Sequence, residues 1–254
     1  MNNIVEVRGV KIGEGIPKIC VPIIGKNRDE ILQSAQDIKT IKHDLVEWRT
    51  DWFQDVLDSE KVSEVLSQLR DILGDTPLLF TFRTKSEGGE LEIKKEAYLK
   101  LNLEAINTGL IDLIDVELFT GDDLVKTVID EAHKKNIKVV VSNHDFERTP
   151  AQKELVSRLQ RMQHLDADIP KLAVMPLDKQ DVLTLLSATV EMAENYGDRP
   201  IVTMSMDKTG VISRICGQFT GSAITFGAAK DASAPGQIPA DELFNIMTSL
   251  QNIF

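Results

Sequence analysis

Residues 168–175, Asp168-Ile169-Pro170-Lys171-Leu172-Ala173-Val174-Met175, are aliphatic apart from their ends and one lysine, with prolines at 170 and 176. The run predicts a buried strand, in which Lys171 is out of place. An ammonium withdrawn from water with no carboxylate beside it in sequence tends to give up its proton. A neutral amine is a nucleophile toward carbonyl carbon. The alternative is a lysine at the strand end whose head reaches solvent along an apolar stem.

The same pattern recurs along the chain. Apolar β-type runs near residues 18–24, 45–51, 78–84, 112–118, 138–145, 169–175, 200–206 and 224–228 alternate with helix-length segments. Ile31, Leu32, Ala35 and Ile38 share one helical face, as do Val65, Leu66, Leu69 and Leu73. Thr149-Pro150 predicts an N-cap and first-turn proline for a helix burying Leu155, Leu159 and Met162. Asp181–Asn195 and Ala240–Ile253 repeat the periodicity. Eight strand–helix units in 254 residues predict an α/β fold, a (β/α)8 TIM barrel occupying residues 1–254 as one domain. A short β-hairpin, Val5-Glu6-Val7 with Val10-Lys11-Ile12, precedes it. An open doubly wound sheet is the second choice, but Ile24-Gly25-Lys26-Asn27 after the first strand is no glycine-rich phosphate turn.

Composition narrows the function. A net charge of −11 argues against nucleic acid or an anionic membrane as the main partner, since both need a basic footprint. The N-terminus shows no charged segment leading into an apolar one, and nowhere do eighteen apolar residues run together, so a cytoplasmic location without a membrane partner is expected. Cys20 and Cys216 have neither disulfide-framework nor metal-ligand spacing; they are expected to be reduced, and no metal or cofactor is expected.

Strand parity then points to a site. Side chains alternate along a strand, and in a barrel one parity fills the lumen. Glu47, Arg49 and Asp51 share a parity in the second strand, Thr81 and Arg83 in the third, Asp115 and Glu117 in the fourth, Ser142 and His144 in the fifth; Lys171 joins Ala173 and Met175 in the sixth. Five strands thus send polar groups toward one lumen, concentrated near the strand C-termini, where barrels build their sites. Structural ion pairs are the competing reading for the acids and arginines. An amine and an imidazole without sequence-adjacent partners form a minimal set for nucleophilic and acid–base chemistry. Arg214, after a glycine turn expected to be flexible, suits a bidentate bond to a ligand carboxylate, against a surface arginine capping a helix. The small-residue segment Ala228–Gln237 is either a closing lid or a plain surface loop. His43 and His133 are expected to face water, and His164 to sit at a helix C-terminus.

These residues resemble the type I 3-dehydroquinate dehydratases, Schiff-base-forming lyases of the shikimate pathway. The resemblance lies in Glu47-Trp48-Arg49-Thr50-Asp51, Phe82-Arg83-Thr84-Lys85-Ser86-Glu87-Gly88-Gly89, Ser142-Asn143-His144-Asp145-Phe146 and Lys171-Leu172-Ala173. Met204-Ser205-Met206-Asp207-Lys208-Thr209-Gly210, Ser213-Arg214 and Ala232-Ser233-Ala234-Pro235-Gly236-Gln237 extend it to nearly the whole chain. It implies a metal-free, cofactor-free homodimer that converts 3-dehydroquinate to 3-dehydroshikimate by syn elimination. Within it Lys171 corresponds to the imine-forming lysine, His144 to the general base and acid, and Glu87 to the carboxylate orienting that histidine. Arg214 falls on the carboxylate-binding position. Glu47, Arg49, Arg83, Ser233 and Gln237 fall on residues that contact the ring hydroxyls or order the site, Ala234 on the same substrate-binding loop, and Met204, Met206 and Phe226 on apolar walls. Pro22 stands where family members carry a serine. Two rivals remain from the residues alone: a class I aldolase acting on a sugar phosphate, and a non-catalytic binder of polyol acids on a barrel scaffold.

Overall fold

The computed structural model describes residues 4–229 and 236–251. The chain opens with an antiparallel hairpin, β1 (Val5–Val7) and β2 (Val10–Ile12). Its two-residue turn has positive φ at both Arg8 (46°) and Gly9 (80°), the backbone that matches strand twist in tight hairpins. Then follow β3 (Lys18–Ile23), α1 (Arg28–Ile38), β4 (Leu45–Arg49), α2 (Ser59–Leu73), β5 (Leu78–Thr81), α3 (Lys95–Thr108), β6 (Leu113–Glu117) and α4 (Asp122–Lys134). The second half runs β7 (Lys138–Asp145), α5 (Gln152–His164), β8 (Ile169–Val174), α6 (Lys179–Glu191), β9 (Val202–Ser205), α7 (Ile212–Ile215), α8 (Gly217–Thr220), β10 (Ile224–Ala228), β11 (Ile238–Pro239) and α9 (Ala240–Gln251).

Strands β3 to β9 pair in parallel in chain order, and β10 lies on the other side of β3. The curled sheet closes between β9 and β10, where Ile201 bridges Ser222, the Ala223 N–H donates to the Ile201 carbonyl at 2.8 Å and the Thr203 N–H to Ser222 Oγ at 3.0 Å. The eight-unit (β/α)8 barrel expected from the alternation is the fold observed, with the short β11 added beside β10.

Alternation sorts each strand into two chemistries. The outward parity, including Val46, Trp48, Phe80, Ile114, Val116, Val141, Leu172 and Val174, packs with the helices in one large core. On the inward parity the first layer is apolar: Cys20, Leu45, Leu79, Leu113, Val140, Ile169, Val202 and Ile224 form a second core with Val5, Val7 and Ile12 of the hairpin. The hairpin therefore plugs the bottom of the barrel, and Arg8 ties it to Asp112 at 2.6 Å. Two residues further along the same strands the layer becomes Glu47, Thr81, Asp115, Ser142, Lys171, Met204 and Phe226, all buried. Within the lumen, the apolar layer thus gives way to a largely polar one toward the C-terminal end of the strands.

Side-chain caps open α1, α2 and α6. Asn27 accepts from the Glu30 N–H, Asp58 from those of Glu60 and Lys61, and Asp178 from that of Asp181. The expected Thr149 cap does not form: α5 begins at Gln152 after Ala151, while Thr149 Oγ1 donates to the Met175 carbonyl at 2.9 Å and ties the loop after β7 to the end of β8. The hydroxyl satisfies a tertiary acceptor instead of its own helix. Asn195 also lies beyond the α-helix expected there, because α6 widens into a π turn over Met192–Tyr196.

Candidate active site

One cavity at the C-terminal end of the barrel is lined by Glu47, Arg49, Arg83, Glu87, His144, Lys171, Met204, Met206, Arg214, Phe226 and Gln237, joined by Gly88, Phe146 and Ala173. The fold thus brings together every predicted site residue except Ser233 and Ala234, which lie outside the described residues, as does most of the segment read as lid or loop.

Lys171 enters from β8 with only 4% of its surface exposed, so it does not reach solvent. Nor is it without a carboxylate: its Nζ lies 3.3 Å from Oδ2 of Asp115 on β6, a partner 56 residues away that adjacency in sequence does not reveal. On another side Nζ lies 4.5 Å from the centroid of the Phe226 ring, the geometry of a cation–π contact. Asp115 is fully buried, and its Oδ1 accepts from Ser142 Oγ at 2.6 Å and pairs with Arg83 Nη2 at 2.9 Å. Burial works to raise the Asp115 carboxyl, but Arg83 and Lys171 outweigh it and hold the group below the usual carboxylate range.

Arg83 joins three acids, two on β6 and one in the turn after β5. Besides Asp115 it donates from Nη1 to Glu117 Oε1 at 2.8 Å and to Ser142 Oγ at 3.0 Å, and it lies 3.6 Å from Glu87 Oε2. Burial disfavours its charge, yet Asp115, Glu117 and Glu87 together raise the guanidinium well above its ordinary value. Glu117 and Ser142, read from sequence only as lumen-facing groups, prove to be the supports of this network.

His144, from β7, is held by Glu87. Oε2 of Glu87 accepts the His144 backbone N–H at 2.8 Å and lies 2.9 Å from Nδ1, while Oε1 accepts from Asn143 Nδ2 at 3.1 Å. Nδ1 being engaged, Nε2 is the nitrogen left for chemistry. Burial, reinforced by Arg83, Lys171 and Arg49, pushes the imidazole well below its usual range, toward the neutral form a base requires. Burial and Glu117 push the Glu87 carboxyl up to about 8, against the pull of Arg83.

The glycines after Glu87 make this placement possible. Gly88 has φ of +85°, and a Cβ there would lie 2.2 Å from the Phe146 ring; a Cβ on Gly89 would lie 1.9 Å from the Arg83 carbonyl oxygen. The turn that aims Glu87 at His144 therefore folds flat against its neighbours.

Arg49 and Glu47 divide into the two roles left open above. Arg49 is clamped by Asp51, with Nε to Oδ1 and Nη2 to Oδ2 both at 2.8 Å, and Asp51 also accepts the Glu90 N–H at 3.1 Å; Asp51 is a structural acid behind the cavity. Glu47 faces the cavity and accepts from Thr81 Oγ1 at 2.9 Å.

Arg214, on α7, is 2% exposed, which rules out the surface helix cap. Burial alone lowers its guanidinium to about 10, so it stays charged at neutral pH, with Nη1 3.9 Å from Met204 Sδ. At Gly210 before it, a Cβ would lie 2.2 Å from the Ser205 carbonyl oxygen, so a close backbone approach requires glycine. Pro22, in register with Glu47, lines a different cleft with Trp52 and Ala229.

Residues outside the cavity have other duties. His133 does not simply face water, because its Nε2 meets Asp168 Oδ2 at 2.8 Å in a half-buried pair that Lys138 joins at 2.9 Å. His43 and His164 engage the backbone carbonyls of Ile41 and Gln160. Among the described residues no group of three His, Cys, Asp or Glu side chains could hold a metal ion, and no helix is long and apolar enough to cross a membrane.

The family model for type I 3-dehydroquinase matches residues 19–253. The 3-dehydroquinate dehydratase of Clostridioides difficile (strain 630) is 56% identical over 250 residues, covering 98% of each chain. A crystal structure of type I 3-dehydroquinate dehydratase from Clostridium difficile with covalent modified comenic acid superimposes with a TM-score of 0.98 at 55% identity over 100% of both chains. The 3-dehydroquinate dehydratase of Enterococcus faecalis superimposes with a TM-score of 0.91 at 47% identity, over 96% of this chain and 98% of that one. The chain belongs to the type I 3-dehydroquinase family.

Proposed function

We propose that this enzyme dehydrates 3-dehydroquinate to 3-dehydroshikimate by syn elimination through a Schiff base on Lys171, with His144 moving the proton. The observation that carries the reading is the convergence of a buried lysine and a neutral-tending histidine, held at Nδ1 by Glu87, on one cavity beside the buried cation Arg214.

The chemistry follows from those groups. The Lys171 ammonium sheds a proton and adds as the amine to the ring ketone; that proton returns to the departing oxygen, and loss of water gives an iminium whose charge acidifies the neighbouring C–H. Nε2 of His144 takes that proton, leaving an enamine that expels the β-hydroxyl; the imidazolium returns the proton to the departing oxygen, so one water leaves. One base on one face serving both transfers gives the syn outcome. Hydrolysis of the conjugated iminium releases product and restores Lys171. Arg214 offers a fork for the substrate carboxylate, Glu47, Arg49, Arg83 and Gln237 offer polar contacts to its hydroxyls, and Met204, Met206 and Phe226 enclose the ring. Ser233 and Ala234 complete the substrate contacts in this proposal.

The covalent modified comenic acid in the Clostridium difficile relative supports covalent chemistry in this family and favours it over the non-catalytic binder. The aldolase reading loses its basis with the family assignment. We further propose, on the resemblance alone, a cytoplasmic homodimer. Sedimentation at twice 28.3 kDa supports the dimer and sedimentation at 28.3 kDa rejects it. Activity is tested by following the enone absorbance of the product: the wild-type chain produces it from 3-dehydroquinate, and Lys171→Ala does not. An equal rate in the variant rejects the mechanism.

A further inference from the structure

We infer that Asp115 is a catalytic residue whose carboxylate is the counter-ion that keeps the Lys171 nitrogen protonated while that nitrogen is joined to the substrate carbon. The inference rests on the Schiff-base reading of Lys171 and adds a second protein group at the reacting atom.

The geometry divides the work of the carboxylate between its two oxygens. Oδ1 is occupied by Ser142 Oγ at 2.6 Å and Arg83 Nη2 at 2.9 Å, which fixes the plane of the group; Oδ2 is left toward Nζ at 3.3 Å. The register that delivers this contact is set by β7, whose Ser142 pairs with Lys171 on one side and with Glu117 on the other. The remaining acids turned toward the lumen are committed elsewhere. Glu47 accepts from Thr81, Glu117 from Arg83 and Thr84, and Glu87 from Asn143 and His144. The cations nearby are Arg83, which Asp115 itself pairs with, Arg49, which is clamped by Asp51, and Arg214 across the cavity. Asp115 has no solvent exposure, so water does not screen it from Nζ, and the Phe226 ring on another side of the nitrogen also favours a cation.

Charge balance explains the use of such a group. The ammonium and the ketone together give the iminium and one water, so a single positive charge resides on nitrogen before and after condensation. A neutral imine would withdraw too little charge from the neighbouring C–H to acidify it. A fixed carboxylate at 3.3 Å favours the protonated imine without having to reorganise.

The product supplies a spectroscopic test. Its ketone is conjugated to a double bond, so its Schiff base absorbs, and protonation of that nitrogen moves the band to longer wavelength. The full-length protein is mixed with 3-dehydroshikimate and difference spectra are recorded from mildly acid to alkaline pH. In the wild type the long-wavelength band persists; in Asp115→Asn it gives way to the shorter-wavelength band at a pH at least about one unit lower, and kcat falls about tenfold or more. An Asp115→Asn band that follows the wild type across the range overturns the inference. Circular dichroism reports whether that variant folds. If it does not, Ser142→Ala, which removes one of the two partners that orient Oδ1 and leaves the charge in place, carries the test: its band gives way at a pH displaced from that of the wild type, and an unmoved band overturns the inference. Failure of the underlying reading is separable, because wild-type protein that takes no borohydride-fixed adduct on Lys171 rejects the Schiff base itself.

Discussion

Glu87 holds His144 at two points, with Oε2 2.8 Å from the backbone nitrogen and 2.9 Å from Nδ1. Because burial drives both groups toward their neutral forms, the proton between them decides which ring nitrogen is free. With the carboxyl protonated, its O–H donates to Nδ1 and the ring proton sits on Nε2; with the carboxylate ionised, Nδ1–H donates and Nε2 carries the lone pair that a base needs. We expect kcat/KM to rise with pH through a limb belonging to the pair, near the value of about 8 to which Glu87 is pushed. In Glu87→Gln the limb moves and kcat falls by about 10- to 100-fold, the lower range for losing the orientation of a general base. An unchanged pH–rate profile in the variant contradicts the assignment.

The same carboxyl makes stability depend on pH in a defined direction. Its ordinary value of 4.5 is raised to about 8 by folding, so between those limits the native state holds a proton that the unfolded chain lacks. Its contribution is complete below 4.5 and disappears as pH rises through about 8. The depressed His144 has the opposite sign: its contribution is present above its ordinary 6.5 and is lost as pH falls. Above neutrality the raised Cys20 and Cys216 thiols are common to wild type and variant, so their difference reports Glu87. Thermal melts of wild type and Glu87→Gln at pH 7 and pH 9 test this. The wild-type advantage shrinks or reverses at the higher pH, and a widening advantage counts against it.

Arg214 is charged, 2% exposed and lines the cavity, where its planar fork can take both oxygens of a carboxylate. Arg214→Ala is expected to weaken substrate binding by about 1.5–3 kcal/mol, roughly 10- to 100-fold, with a smaller change in kcat. Arg214→Lys recovers only part, because a point charge replaces a bidentate donor. Steady-state kinetics that show an effect confined to kcat would reject the carboxylate-binding role.

Gly88→Ala meets two obstacles at once, a φ of +85° and a Phe146 ring 2.2 Å from the new carbon. We expect a loss of about 1–3 kcal/mol in stability together with at least a tenfold fall in kcat, since the turn carries Glu87. Adding Phe146→Ala removes the steric part and leaves the backbone part, so the double variant recovers some stability. No recovery would show that the ring is not the obstacle.

The barrel was legible because its signal is periodic. Leu45-Val46-Glu47-Trp48-Arg49 and Ile169-Pro170-Lys171-Leu172-Ala173-Val174 show both the covered outer parity and the change from apolar to ionisable along the inner one. That change also marked the C-terminal end of the lumen, where the candidate site residues line one cavity. The partner of Lys171 was hidden because Asp115 lies two strands away, and no local spacing encodes a contact across the intervening β7. Thr149 was misread for a related reason: a hydroxyl before a helix has a local explanation, while the structure uses it for the Met175 carbonyl. His133 likewise looked like a surface residue until the barrel bottom brought Asp168 to it. Tertiary proximity, rather than propensity, decided each of these.

Schiff-base catalysis requires the Lys171 nitrogen to become covalently joined to the substrate carbon. Its most direct measurement is borohydride reduction of the protein during turnover of 3-dehydroquinate, followed by intact-mass analysis and peptide mapping, with Lys171→Ala as control. A ligand-derived mass is expected on the peptide containing Lys171, and none on the control. An active wild-type enzyme that acquires no adduct, or one that acquires it at another lysine, would contradict a Schiff base on Lys171.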